Sequence, residues 1–94
     1  MLTLDQTVRP HPEVVDTPLD TGEVVLLHLA RKTYYSLNVT GAQIWQGVKD
    51  GLTLQAISLE LQARYAVEPG HADRSVLTLM ADLLDQQLVQ GTGT

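Results

Sequence analysis

The chain is 94 residues long, 44% apolar, and carries a formal net charge of −5 with no cysteine. A chain this short encloses a single core, hence one domain, and its apolar content is too high for an intrinsically disordered segment. Disulfides and thiolate metal sites are excluded outright.

The opening stretch, residues 1–12, holds Pro10 and Pro12, which disfavour helix and central strand, so it reads as an extended lead-in. From Glu13 to Leu37 the pattern is strand-like. Val14 and Val15 precede a turn cluster at Asp20-Thr21-Gly22, and Glu23 to Leu29 is rich in Val and Leu on both faces, as in a strand covered on two sides. Ala30-Arg31-Lys32 turns the chain into a third short strand, Thr33-Tyr34-Tyr35-Ser36-Leu37. Brief connections between sequential strands predict an antiparallel meander.

Beyond Asn38 the apolar period changes from two to about three and a half. Gly41, Ile44, Trp45 and Val48 fall on one helical stripe, with Asn38 or Thr40 to cap its start and Gly51 to end it in the left-handed conformation. Thr53 caps a second helix, whose stripe is Leu54, Ile57, Leu61 and Tyr65. Pro69 suits the first position of a third helix, expected over about Pro69 to Gln87, because its missing N–H is not needed there. Val76, Leu77, Leu79, Met80, Leu83 and Leu84 cover more than one narrow stripe of that helix. Either it is buried between the sheet and the other helices, or part of the excess lines an exposed groove. Residues 90–94 read as a flexible tail. The expected fold class is α+β: a three-stranded antiparallel sheet followed by three helices, like a winged helix-turn-helix.

Several function classes fall away. The longest aliphatic run, Val24-Val25-Leu26-Leu27, is far short of the ~20 residues needed to span a membrane. Met1-Leu2-Thr3-Leu4-Asp5 lacks the basic-then-apolar pattern of a secretory signal, so a cytoplasmic location is expected. The six basic residues, Arg9, Arg31, Lys32, Lys49, Arg64 and Arg74, are scattered. In a winged helix that binds DNA the third helix enters the major groove, but here it would carry Arg74 against Asp73, Asp82 and Asp85, a net charge that phosphates repel. His11, His28 and His71 stand without ligand spacing and read as surface or strand residues, so no metal is expected. No nucleophile elbow or Gly-rich phosphate loop is present, and the helix carboxylates read as solvated charge, so neither catalysis nor a cofactor is expected.

The strings Glu23-Val24-Val25-Leu26-Leu27, Tyr34-Tyr35-Ser36-Leu37-Asn38 and Gly41-Ala42-Gln43-Ile44-Trp45 resemble the PqqD family, small proteins also called RiPP recognition elements. The resemblance continues through Tyr65, Pro69, Asp73, Leu83-Leu84 and Leu88-Val89, covering residues 13–89 as the peptide-binding domain. It implies a three-stranded sheet packed on three helices that binds the leader of a ribosomally made precursor as an added strand, in the cleft beside the third helix. By resemblance, the docking edge is Lys32, Thr33, Tyr34, Tyr35 and Ser36, and the facing wall is Asp73, Leu77, Met80 and Leu84. Tyr35, Leu37, Ile44 and Trp45 read as core, whereas Tyr34 alternates to the other face. Arg31 and Lys32 either solvate the turn or meet an acidic leader. A free-standing domain of this size is most similar to the B1-type proteins of lasso-peptide synthesis. These hand the precursor to a leader peptidase and then to a cyclase, with no nucleic acid or membrane involved. Two alternatives are a peptide chaperone for a radical S-adenosylmethionine enzyme, as in quinone-cofactor synthesis, and a winged-helix DNA-binding regulator.

Overall fold

In the computed structural model, which describes residues 2–91, the elements run β1 (Val8–Pro10), β2 (Val14–Pro18), β3 (Val24–His28), β4 (Thr33–Leu37), α1 (Val39–Lys49), α2 (Leu54–Tyr65), α3 (Pro69–Asp85) and β5 (Val89–Gly91). Strands β2, β3 and β4 form the expected antiparallel meander, in the order β2-β3-β4. Gly22, at φ +93°, supplies the left-handed residue of the first hairpin, whose closing bonds run from Leu19 N–H to the Glu23 carbonyl and from Gly22 N–H to the Leu19 carbonyl. In the second hairpin that role falls to Lys32, at φ +55°, whose N–H donates to the His28 carbonyl at 2.8 Å.

The lead-in is more than extended chain. Val8–Pro10 pairs antiparallel with Val89–Gly91 in a separate two-stranded sheet, and His11 N–H continues that ladder to the Leu88 carbonyl. Buried Val8, Leu88 and Val89 thereby join the core. Gln90 and Gly91, assigned from sequence to the flexible tail, belong to this pairing, and residues 92–94 lie outside the described part of the chain. Further upstream, the carbonyls of Gln6 and Leu4 accept from the N–H groups of Leu54 and Gln55. The lead-in thus satisfies donors that the first turn of α2 cannot pair internally.

Helix α1 packs on one face of the meander, against β3 and β4, and α2 packs against both α1 and α3. Asn38 caps α1 by accepting from Gly41 N–H at 2.8 Å, Thr53 caps α2 by accepting from Ala56 N–H at 3.1 Å, and Pro69 opens α3. At Gly47 a Cβ would stand 2.6 Å from Ile57 Cγ1, so α1 and α2 pack with their backbones close. Helix α3 stops at Asp85, two residues short of the sequence expectation. Gln87 there adopts φ +59°, Leu88 N–H donates to the Leu83 carbonyl and Gln87 N–H to that of Leu84. This is a Schellman ending built on glutamine instead of glycine. The core gathers Leu26 and Leu37 from the sheet, Ile44, Trp45 and Val48 from α1, Leu54, Ile57 and Leu61 from α2, and Ala72, Val76, Met80 and Leu83 from α3.

Candidate functional site

The two edges of the meander differ in what they offer to another chain. Leu29 N–H donates to the Glu13 carbonyl and Leu19 N–H to that of Glu23, so odd-numbered residues of β3 turn their backbone groups toward β2. In an antiparallel ladder the direction alternates, so Val24, Leu26 and His28 turn theirs toward β4, where they face Leu37, Tyr35 and Thr33. The N–H and C=O groups of Tyr34 and Ser36 are therefore left pointing away from the sheet. On the opposite edge the outward positions of β2 are Val14, Asp16 and Pro18. Val14 N–H already donates to the His11 carbonyl, Pro18 has no N–H, and Asp16 between them carries a carboxylate paired with Lys49. One edge is blunted and the other is open, and open edges are where extended chains add.

Beside the open edge lies a trough of about 590 Å³, within the range of small-ligand clefts. Tyr35, Ser36, Leu37 and Asn38 form one side, Thr40, Gly41 and Ile44 close the end at α1, and His71, Arg74, Ser75, Thr78, Leu79 and Asp82 of α3 form the far wall. Near Thr40, His71 and Ser75 it meets a smaller hollow of about 210 Å³, reaching Leu61, Tyr65, Val67 and Ala72. The inward cross-strand row Asp16–Leu26–Tyr35 sets the sheet over the helices. At one end Asp16 accepts from Trp45 Nε1 at 3.0 Å and from Lys49 Nζ at 2.7 Å. At the other, Tyr35 donates its hydroxyl to Asp82 at 2.9 Å, tying β4 to α3 across the trough. The Lys49 hydrogen bond, with help from Trp45, holds the Asp16 carboxyl below its usual pKa against the opposing effect of burial. Burial, and then the Asp82 carboxylate, push the Tyr35 hydroxyl up.

The residues expected on the edge take different places along β4 and the turn before it. Tyr34 and Ser36 supply the outward backbone groups, and Tyr35 and Ser36 line the trough. Tyr34 projects its ring from the outer face at 76% exposure. Lys32 and Thr33 lie at the turn and strand start, both exposed, and line none of the hollows. The wall expected on α3 is on the wrong side of the helix. Met80 is 0% exposed in the core, and Asp73 accepts from the buried Ser58 hydroxyl of α2. Leu77 and Leu84 border a separate hollow with Leu2, Gln6, Ala81 and Gly91. The core stripe Ala72, Val76, Met80, Leu83 divides α3 into two flanks, and the trough takes the flank of Ser75, Leu79 and Asp82. Leu79 was the one apolar residue of the excess that could have marked it.

The histidines form no ligand set. His28 is buried in β3 with the His11 ring at 4.6 Å, and each Nδ1 accepts a backbone N–H, from Arg31 and Glu13 respectively. His71 stands apart on α3. Among the described residues no group of three or more His, Cys, Asp or Glu could hold a metal ion, and no helix is long and apolar enough to cross a membrane.

The family model for coenzyme PQQ synthesis protein D (PqqD) matches residues 23–89. Two solved structures are similar over most of the chain. TbiB1 in complex with the TbiA(beta) leader peptide is 29% identical, with a TM-score of 0.84, covering 92% of this chain and 99% of its own. A lasso peptide synthetase B1 complexed with the leader peptide is 30% identical, with a TM-score of 0.80, covering 87% of this chain and 95% of its own. No curated protein matches the chain.

Proposed function

The chain belongs to the PqqD family, and from that premise we propose that it binds the leader of a ribosomally made precursor by strand addition to β4 and hands it to the leader peptidase of lasso-peptide synthesis. The observation that carries this reading is the asymmetry of the sheet: β2 is blunted while Tyr34 and Ser36 present N–H and C=O groups that no described residue pairs, beside a trough. Further support comes from the two similar structures, each of a protein holding a leader peptide. The proposed contact set is Tyr34, Tyr35 and Ser36 on the strand, with Ser75, Thr78, Leu79 and Asp82 facing them. Two residues with outward N–H and C=O groups make at most four backbone bonds, at about 0.5–1.5 kcal/mol net each. Micromolar affinity requires about 8 kcal/mol. Leader side chains seated in the trough supply the difference, at about 1.5–3 kcal/mol for each apolar group fully buried.

In this role the domain captures and positions its ligand, while bond-making and bond-breaking belong to the partner enzymes, the peptidase and then the cyclase, in the cytoplasm. The test is a fluorescence titration of the domain with the labelled leader of the precursor gene adjacent to its own, run beside a 20-bp DNA duplex. Saturable leader binding that survives moderate salt is expected. Tight duplex binding with a steep salt slope, and none to the leader, would replace this reading with a nucleic-acid one.

A further inference from the structure

The two ends of the trough carry opposite charge. Arg74 lines it toward the α1 end, and among the described residues it has no ion-pair partner. Asp82 lines it toward the Tyr35 end, where the tyrosine hydroxyl engages only its Oδ2 oxygen. Eight residues of helix separate them, an axial distance of about 12 Å at 1.5 Å per residue. Along an added strand, residues that face the trough recur every second position, and those at i and i+4 stand about 13 Å apart. Spacings of i+2 and i+6 give about 7 and 20 Å and miss the match. The intervening i+2 side chain falls against the middle of this wall, at Thr78 and half-buried Leu79. Resting on the leader-binding reading, we infer that the trough selects an extended segment with a carboxylate opposite Arg74, an apolar side chain against Leu79 and a cation opposite Asp82. Strand β4 runs from the Asp82 end toward the Arg74 end, so an antiparallel partner, the more stable pairing, meets Arg74 first. The segment reads acidic, any, apolar, any, basic.

The test sorts a displayed library of random 12-residue peptides on the purified full chain, on Arg74→Glu, and on Ser36→Pro, in which the open edge is blocked. Peptides that bind wild type but not Ser36→Pro are expected to be enriched in the acidic–apolar–basic pattern at i, i+2 and i+4. Those selected on Arg74→Glu should carry a basic residue at the first position. A wild-type-selected peptide should bind Arg74→Glu roughly two- to fivefold more weakly, as exposed charge pairs allow, and regain that loss when its own acid is changed to lysine. Edge-dependent binders that lack the charge pattern, or that are the same for Arg74→Glu and wild type, would overturn this inference and leave leader binding intact. If no binder depends on the edge, strand addition itself is wrong, and this inference falls with it.

Discussion

Replacing Ser36 with proline isolates the open edge from everything else the domain does. Ser36 faces Val25 at a position where neither residue turns its backbone toward the other, so the β3–β4 ladder keeps its bonds when the Ser36 N–H is removed. Tyr35, which would precede the proline, lies in a strand, the conformation such a residue prefers. Proline is tolerated on an edge strand whose N–H faces solvent, so the domain should lose less than about 1 kcal/mol of stability. Such a loss lowers the melting temperature by no more than about 8 °C for a domain of this size. The effect on an added strand is larger. One backbone bond, about 0.5–1.5 kcal/mol, disappears, and the peptide carbonyl that accepted it is left unpaired at about 1–3 kcal/mol. Together these weaken binding by roughly 2–4 kcal/mol, or about 30- to 1,000-fold in Kd. Fluorescence anisotropy with the labelled leader reads the affinity, and circular dichroism reads the fold. Ser36→Ala, which keeps the N–H, should bind within about threefold of wild type, since a surface side chain alone contributes about 0.5 kcal/mol. A folded Ser36→Pro domain with unchanged affinity would refute strand addition to β4.

Leu79→Asp should weaken leader binding by about 2 kcal/mol or more in a folded domain, because it sets a charge against seated apolar groups, whereas Leu77→Asp, on the far flank of α3, should leave affinity unchanged; titration of the pair checks the wall. Gly47→Ala should lower the melting temperature in a thermal scan. Its helix-propensity gain of about 1 kcal/mol is outweighed where its Cβ presses into buried Ile57, since overpacking costs about 1–3 kcal/mol. Asp16→Asn should reduce stability by no more than about 1 kcal/mol at neutral pH, since both members of the Lys49 pair are partly exposed and screened. Because the folded-state pKa of Asp16 is lowered, that contribution is present above the ordinary carboxylate value of about 3.9 and disappears as pH falls through the folded value. Denaturant titrations of wild type and Asp16→Asn should therefore converge in acid.

Much of the fold was legible because local chemistry and global architecture agree. Asn38, Thr53 and Pro69 start the helices where their side chains or ring geometry favour it, and the stripes of α1 and α2 are buried as their spacing requires except at Tyr65, which is exposed at the end of α2. The meander followed from short turns between β-branched runs. What escaped notice depends on partners far apart in sequence. Val8 to Pro10 is too short and proline-rich to announce a strand, and it becomes one only because Val89 to Gly91 returns beside it. The end of α3 was set two residues late because Gln87 takes the left-handed position without the glycine that usually marks it. Neither error displaced β4, a strand read from residue type and alternation, whose role as a docking edge came from the family resemblance.

The wall opposite β4 was harder for a physical reason. Periodicity reports which residues share a helical face, but three faces of α3 carry apolar groups, and only docking decides their roles. The stripe Asp73, Leu77, Met80, Leu84 is a valid helical row, yet it crosses from the α2 contact through the core to the far hollow. Two cross-links orient the helix instead. Ser58 holds Asp73 toward α2, and Tyr35 holds Asp82 toward β4, so the helix can turn only the Ser75–Leu79–Asp82 flank to the open edge. Both links join residues of opposite sequence neighbourhoods, and neither partner type is unusual on a helix surface. Tyr35 is consequently more than a core aromatic: its ring packs against the core while its hydroxyl fixes which side of α3 a bound strand would meet. Loss of that hydroxyl in Tyr35→Phe leaves the apolar packing in place and frees α3 to shift relative to β4. Its effect should therefore fall on peptide affinity more than on stability, and a Tyr35→Phe domain that loses stability but keeps full affinity would assign the bond to the fold alone.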